Sequence, residues 1–227
     1  MAPPQFVIFD FDGTLADSFP WFSEVLGDVA DRWGFRRVAD GEDEALRHMS
    51  ASAIFAYLGV PRWKVPLVAA DLRKRQALEL HRIRLFGGVA TLLARLDAAG
   101  LRLGVASSNA TANVQRVLGA ELWGLIDDSE CGAGLSAKHR RLRRLLRRAR
   151  LAPCQALYIG DEIRDIEAAR RVGMAAGAVT WGYNRLAALQ QHRPDRVFHR
   201  VHDIERQLLD GASLSAGHAA AGLSQPP

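Results

Sequence analysis

Gln5-Phe6-Val7-Ile8-Phe9, followed at once by Asp10-Phe11-Asp12-Gly13-Thr14, decides how the chain is read. A short unbroken apolar run is what a central strand of a parallel sheet looks like, because such a strand is covered on both faces. The two carboxylates beyond it stand at i and i+2 on an extended segment. Their side chains therefore point the same way and can face one metal ion. Gly13 lets the backbone turn sharply and frees amides to face an anion.

Outward from this stretch the pattern changes twice. Residues 17 to about 84 carry helical periodicity, with candidate helices over 21–33, 42–57 and 66–82 and no second strand-like run. After Gly87-Gly88 strands and helices alternate. A helix over 89–99 stops at Gly100, and a strand over 101–106 follows. Next come a helix over 111–118, a short strand over 125–127, a basic helix from Lys138 and a strand over 156–159. A helix over 163–172 stops at Gly173, a strand covers 176–180, and a last strand and helix fall within 194–209. Such alternation implies right-handed crossovers. The expected fold is α/β, a Rossmann-like parallel sheet core with helices on both faces and an inserted α-helical cap. The core comprises 1–16 and 86–210, the cap 17–85, and the small, polar stretch 211–227 is expected to be a disordered tail. Trp21, Trp33 and Trp63 are expected in the cap core, with Trp21 also placed beside the flap 15–20.

The chain has 227 residues, 48% hydrophobic and 24% charged, an ordinary balance for a globular protein with a sizeable core. Met1–Gln5 shows no basic stretch leading into a long apolar one, and no apolar run reaches the roughly 18 residues of a membrane span. Cys131 and Cys154 have no metal-ligand spacing, so a cytoplasmic location and no membrane partner are expected. Net charge is +5, much of it in Lys138–Arg150 (KHRRLRRLLRRAR). Leu142, Leu145, Leu146 and Ala149 recur there at helical spacing, so the run reads as a surface helix with one apolar stripe. A nucleic acid or other polyanionic partner would be the alternative use of those arginines, and no zinc-finger or RNA-binding signature accompanies them.

In an open parallel sheet ligands gather at the carboxyl ends of the strands. Reactive residues stand at those ends here. Ser107-Ser108-Asn109 follows the strand over 101–106 and offers donors for a phosphate oxygen. Gly160-Asp161-Glu162-Ile163-Arg164-Asp165 follows the strand over 156–159 and is again acidic. Oxygen ligands with open water positions are what Mg²⁺ prefers.

Asp-Phe-Asp-Gly-Thr-Leu, a later strand-end serine, a distant lysine and Gly-Asp-x-x-x-Asp, in that order, resemble the four motifs of the haloacid dehalogenase superfamily. Thr180-Trp-Gly-Tyr-Asn184 with Pro194-Asp195 is similar to its phosphoglycolate phosphatase-like branch, and the likeness spans about residues 5–210. It implies a Mg²⁺-dependent phosphatase acting on a small phosphorylated substrate, phosphoglycolate-like or a sugar or nucleotide phosphate, through an aspartyl-phosphate. Asp10 would be the nucleophile and Asp12 the general acid and later base. Mg²⁺ would be held by Asp10, the Asp12 carbonyl and Asp161, with Asp165 in support. Ser107 and Lys138 would bind phosphoryl oxygens. Ser108 or Asn109 could be the better placed donor, and Glu162 either shares the metal or serves as a first-turn residue of its helix. A phosphomutase would carry the same motifs. A haloalkanoate dehalogenase would not need Asp12, because a halide leaves without a proton. A non-catalytic anion-binding protein would account for the arginines and leave the acids unexplained.

Overall fold

The computed structural model describes residues 3–39, 41–132 and 138–210; the expected tail, 211–227, lies outside the described residues. Strand β1 (Phe6–Phe9) is followed by a two-residue strand β2 (Ala16–Asp17). Helices α1 (Phe19–Trp33), α2 (Asp43–Leu46), α3 (Ala51–Tyr57) and α4 (Val65–Leu78) come next, and β3 (Arg84–Leu85) brings the chain back. The rest alternates: α5 (Val89–Ala98), β4 (Arg102–Ser107), α6 (Thr111–Gly124), β5 (Asp128–Cys131), α7 (Lys138–Ala149), β6 (Ala156–Gly160) and α8 (Ile163–Val172). It ends with β7 (Ala175–Val179), α9 (Leu186–Gln191), β8 (Arg196–Phe198) and α10 (Val201–Glu205).

Six strands form one parallel sheet in the order β5-β4-β1-β6-β7-β8. β1 is interior, with Phe6 paired to Arg102 on one side and to Ala156 on the other. The period of two sends its side chains to opposite faces. Val7 and Phe9 pack in a core with Leu92, Leu93 and Leu96 of α5 and Ile204 of α10. Phe6 and Ile8 pack with Leu142, Leu145 and Leu146 of α7 and with Ile166 and Ala169 of α8. The sheet is thus covered on both faces, the α/β architecture that the alternation implied.

Four details differ from the sequence expectation. The strand anticipated over 125–127 lies at β5, three residues later. It is an edge strand of sequence Asp-Ser-Glu-Cys, only partly buried, so it carries no apolar signature. The helix anticipated over 42–57 is broken in two, because the Ser50 hydroxyl accepts from the Ala53 N–H and starts α3 afresh. The insertion is bounded by an antiparallel pair, Ala16 opposite Leu85 and Asp17 opposite Arg84. Two residues are too few to show alternation in a sequence. Trp63, expected in the core, is 69% exposed, its ring beside the Lys64 ammonium.

The basic helix α7 is amphipathic as its spacing suggests, and Leu142 and Leu145 are fully buried. Part of its charge is internal to the fold: Arg144 pairs with Glu130, and Arg148 with Asp128 and Glu130, all on β5. No helix among the described residues is long and apolar enough to cross a membrane.

Burial of the stripe and exposure of the opposite face should separate cleanly in mutants. Leu145→Ala is expected to cost about 2–5 kcal/mol in chemical denaturation, the range for a leucine removed from a packed core. Arg147→Ala, on the exposed face of the same helix, should stay within about 0.5 kcal/mol of wild type.

Candidate active site

The carboxyl ends of β1, β4 and β6 meet at one place, and α7 and α8 start there. Asp10 follows β1, Ser107 ends β4, Lys138 opens α7, Asp161 follows β6, and Asp165 lies in the first turn of α8. At the centre is Lys138. Its ammonium donates to Asp10 Oδ2 at 2.7 Å and to Asp165 Oδ1, with all three side chains buried. Asp165 is itself anchored, since its Oδ2 accepts from the Glu162 N–H at 3.0 Å and caps α8. The Tyr158 hydroxyl lies 3.2 Å from Asp165 Oδ1.

Asp12 is gripped from two sides. Its Oδ2 accepts from Asn109 Nδ2 at 3.1 Å, and its Oδ1 accepts from Gln76 Nε2 at 2.8 Å. Asn109 belongs to the loop after β4, whereas Gln76 comes from α4 in the helical insertion. The two amides also meet each other at 2.9 Å. The Ser107 hydroxyl accepts from the Asn109 N–H at 3.0 Å and so orders the same loop. Ser108 lines the space between this loop and the insertion.

Asp161 is fully buried and faces the loop after β1. The Thr14 hydroxyl donates to its Oδ1 and the Tyr183 N–H to its Oδ2, both at 2.8 Å. Only glycine serves at position 13, where φ is +77° and a Cβ would overlap the Asp161 carboxylate. Arg164, also close, pairs with Glu162.

Burial is the largest influence on these acids. It pushes Asp10 up to about 7, against the opposing pull of Lys138. It raises Asp12 despite the bonds from Gln76 and Asn109. It holds Asp161 well above the usual carboxylate range, with Glu162, Asp165 and Asp10 adding repulsion. Lys138 and Arg164 stand among Asp10, Asp12, Asp161, Glu162 and Asp165, with Arg141 within electrostatic reach of Asp10 and Arg47 of Asp161, which still leaves the acids in the majority. Oxygens of Asp10, Glu162 and Asp165 lie within 4.8 Å of one another. An all-oxygen set with excess negative charge suits a hard divalent cation such as Mg²⁺. Asp161 and Asp12 stand outside that closest set, although each Asp161 oxygen keeps a lone pair beyond its present bond.

The structure therefore brings Asp10, Lys138 and Asp165 into contact, ties Asp12 to Asn109, and sets Asp161 against Thr14. It adds Gln76 and Arg47, which the sequence did not single out, and gives contacts to Tyr183 and Asn184 of the stretch 180–184 quoted above. Gln76 reaches Asp12 from the insertion. Arg47 donates to the Tyr183 carbonyl, and Asn184 donates to the carbonyls of Arg47 and Met49, joining the insertion to the loop after β7. No sequence signal marked Gln76: the residues of α4 have no clear apolar stripe, and only packing turns Gln76 inward beside Val68, Ala69 and Leu72.

A parallel sheet with an aspartate at the end of its interior strand and a helical insertion just beyond it defines a class, and the family comparison agrees. Residues 7–179 match the model of the haloacid dehalogenase-like hydrolases, and the chain belongs to that family. Within it, the chain falls in the phosphoglycolate phosphatase-like branch of phosphoric monoester hydrolases. It is 35% identical over 201 residues to a phosphoglycolate phosphatase from Synechococcus elongatus, covering 88% of this chain and 95% of that one. A second, from Xanthomonas campestris, is 31% identical over 193 residues, covering 79% and 85%. A haloacid dehalogenase-like family hydrolase of known structure from Streptococcus pneumoniae shares the fold, with a TM-score of 0.75 at 23% identity over 90% of this chain and 98% of that one.

The raised Asp10 predicts a pH dependence in divalent-free buffer. With a folded-state value of about 7 against an ordinary 3.8, the folded protein holds this proton more tightly than the unfolded chain does. Stability therefore falls as pH rises through that window. Thermal melts in EDTA should show Asp10→Asn flattening the decline between pH 5 and pH 7.5. The variant should melt several degrees above wild type at the upper end. Equal slopes in the two proteins would contradict the assignment.

Proposed function

We propose that this protein is a Mg²⁺-dependent phosphatase that hydrolyses a small phosphate monoester through an aspartyl-phosphate on Asp10. The observation that carries the reading is the Lys138 ammonium on the Asp10 carboxylate at 2.7 Å, at the carboxyl end of the interior strand. A nucleophilic carboxylate must be ionised, and a buried one needs a cation beside it.

In the proposed cycle an Asp10 oxygen forms a bond to phosphorus as the bond to the ester oxygen breaks. The Asp12 carboxyl, whose burial favours the protonated form, gives its proton to the departing oxygen. Asp12, now a carboxylate, then takes a proton from water. The water oxygen attacks phosphorus, inorganic phosphate leaves, and Asp10 is regenerated. Lys138 and Ser107, with Ser108 and Asn109 on the same loop, would face the phosphoryl oxygens, whose charge must be met in the transition state. Asp10, the Asp12 carbonyl and Asp161 would hold Mg²⁺, with Glu162 and Asp165 beside them, and the ion would offset charge on the phosphoryl group.

Residues 17–85 would act as a cap over this chemistry, and Gln76 suits that role because it orients Asp12 only when α4 lies over the sheet. Likeness to the two phosphoglycolate phosphatases makes phosphoglycolate the first substrate to try, with sugar and nucleotide monophosphates next. Internal pairing of Arg144 and Arg148 leaves less of α7 for an anionic partner, which disfavours a nucleic-acid-binding role.

The test is release of inorganic phosphate from p-nitrophenyl phosphate and a panel of small monoesters, with Mg²⁺ and with EDTA. Activity should require the metal and fall by about three orders of magnitude or more in Asp10→Asn. Asp12→Asn should lose about 10²–10⁴-fold on alkyl phosphates and less on p-nitrophenyl phosphate, whose leaving group needs little protonation. Full activity of Asp10→Asn would end the proposal.

A further inference from the structure

Between the helical insertion and the sheet lies a cavity of about 160 Å³ that opens onto Asp12 and Ser108. Its far wall is apolar, built from Trp21, Phe22, Phe55, Leu58 and Leu72. A cavity of roughly 150 Å³ lined by leucine, isoleucine and phenylalanine is large enough to take benzene. A two-carbon leaving group would leave much of this wall bare.

Two guanidinium groups border the same space, one from each side of it: Arg164 from the start of α8 and Arg73 from α4. Arg73 sits three residues before Gln76, so the two share a face of that helix. Arg73 is half-buried and makes no hydrogen bond or ion pair among the described residues, and burial draws its pKa below the ordinary value. Arg164 gives its Nε to Glu162, while its Nη1 is buried without a partner. A desolvated donor without an acceptor is costly. The planar guanidinium fork matches the two oxygens of a carboxylate.

Resting on the phosphatase reading above, we propose that the preferred substrate is a phosphate monoester whose leaving group joins a ring-sized apolar body to a carboxylate. The phosphoryl group lies toward Asp10 and Asp12, the ring stands against the Trp21–Phe55–Leu72 wall, and the carboxylate is met by Arg73 and Arg164. Phosphoglycolate supplies the anion without the body and phenyl phosphate the body without the anion, so each should be a poorer substrate than an ester that has both.

The experiment compares kcat/KM for 4-carboxyphenyl phosphate, phenyl phosphate and phosphoglycolate in wild type, Arg73→Met and Arg164→Met. The readout is the ratio of the first two esters within each protein, so a general loss of activity cancels. Wild type should favour the carboxylated ring at least about tenfold over each of the other two, and both variants should bring its ratio to phenyl phosphate toward one. Calorimetry with benzylphosphonate and 4-carboxybenzylphosphonate asks the same question without turnover. The carboxylated ligand should bind more tightly to wild type and no more tightly to Arg73→Met. Hydrolysis of both aryl esters at equal efficiency, or a preference that survives in both variants, overturns this inference and leaves the phosphatase reading standing. Arg73-dependent binding of the carboxylated phosphonate by a protein that hydrolyses none of the esters would do the reverse.

Discussion

Everything at this site depends on how a buried cluster of carboxyl groups is counterbalanced. Asp10, Asp161 and Asp165 lie where water cannot solvate them, burial raises the cost of ionising Asp10 and Asp161, and the charge of Asp165 adds to both. Lys138 is the counterweight the fold itself provides, fixed between Asp10 and Asp165. Its position is set by packing, because Leu142 and Leu145 hold α7 against the sheet and thereby fix the start of that helix. An apolar stripe on one face of a helix thus determines where a cation stands at its tip.

The architecture was legible because its signals are local. The apolar run of β1, the alternation after Gly88 and the glycine stops at Gly100 and Gly173 each follow from periodicity over a few residues. The strand-end acids were legible for a related reason, since a parallel sheet dictates which end of each strand collects function. Less legible was whatever depends on two distant pieces of chain meeting. Gln76 on Asp12, Asn184 on the Arg47 carbonyl, and the pairing of β2 with β3 join segments that no window can see together. β5 was misplaced because its energetic support comes from ladder bonds to β4 and ion pairs with α7, so nothing in Asp-Ser-Glu-Cys itself announces a strand.

The helical insertion is tied to the core in two different ways. At its base the antiparallel pair β2–β3 brings entry and exit together, and further out the ties are polar and specific. Gln76 reaches Asp12, the Arg47 side chain donates to the Tyr183 carbonyl, and Asn184 donates to the Arg47 carbonyl. Tyr183, which accepts the Arg47 bond, also makes several contacts of its own. Its N–H holds Asp161, its hydroxyl meets Ser18, and its ring packs edge-on against Phe19 and Phe22 of α1. Movement of the insertion would therefore be felt at Asp161 and Asp12 together.

The order of strands also has a meaning in time. β1 is made first, yet its partners are β4 and β6, and the second of these is complete only at Gly160. Until then a growing chain carries its apolar first strand, and Asp10 at its end, with one edge unpaired. Pairing across such separations in sequence is slow, and the open edge invites association with other chains. The residue placed at the heart of the finished sheet is thus synthesised well before both of its flanking strands can enclose it.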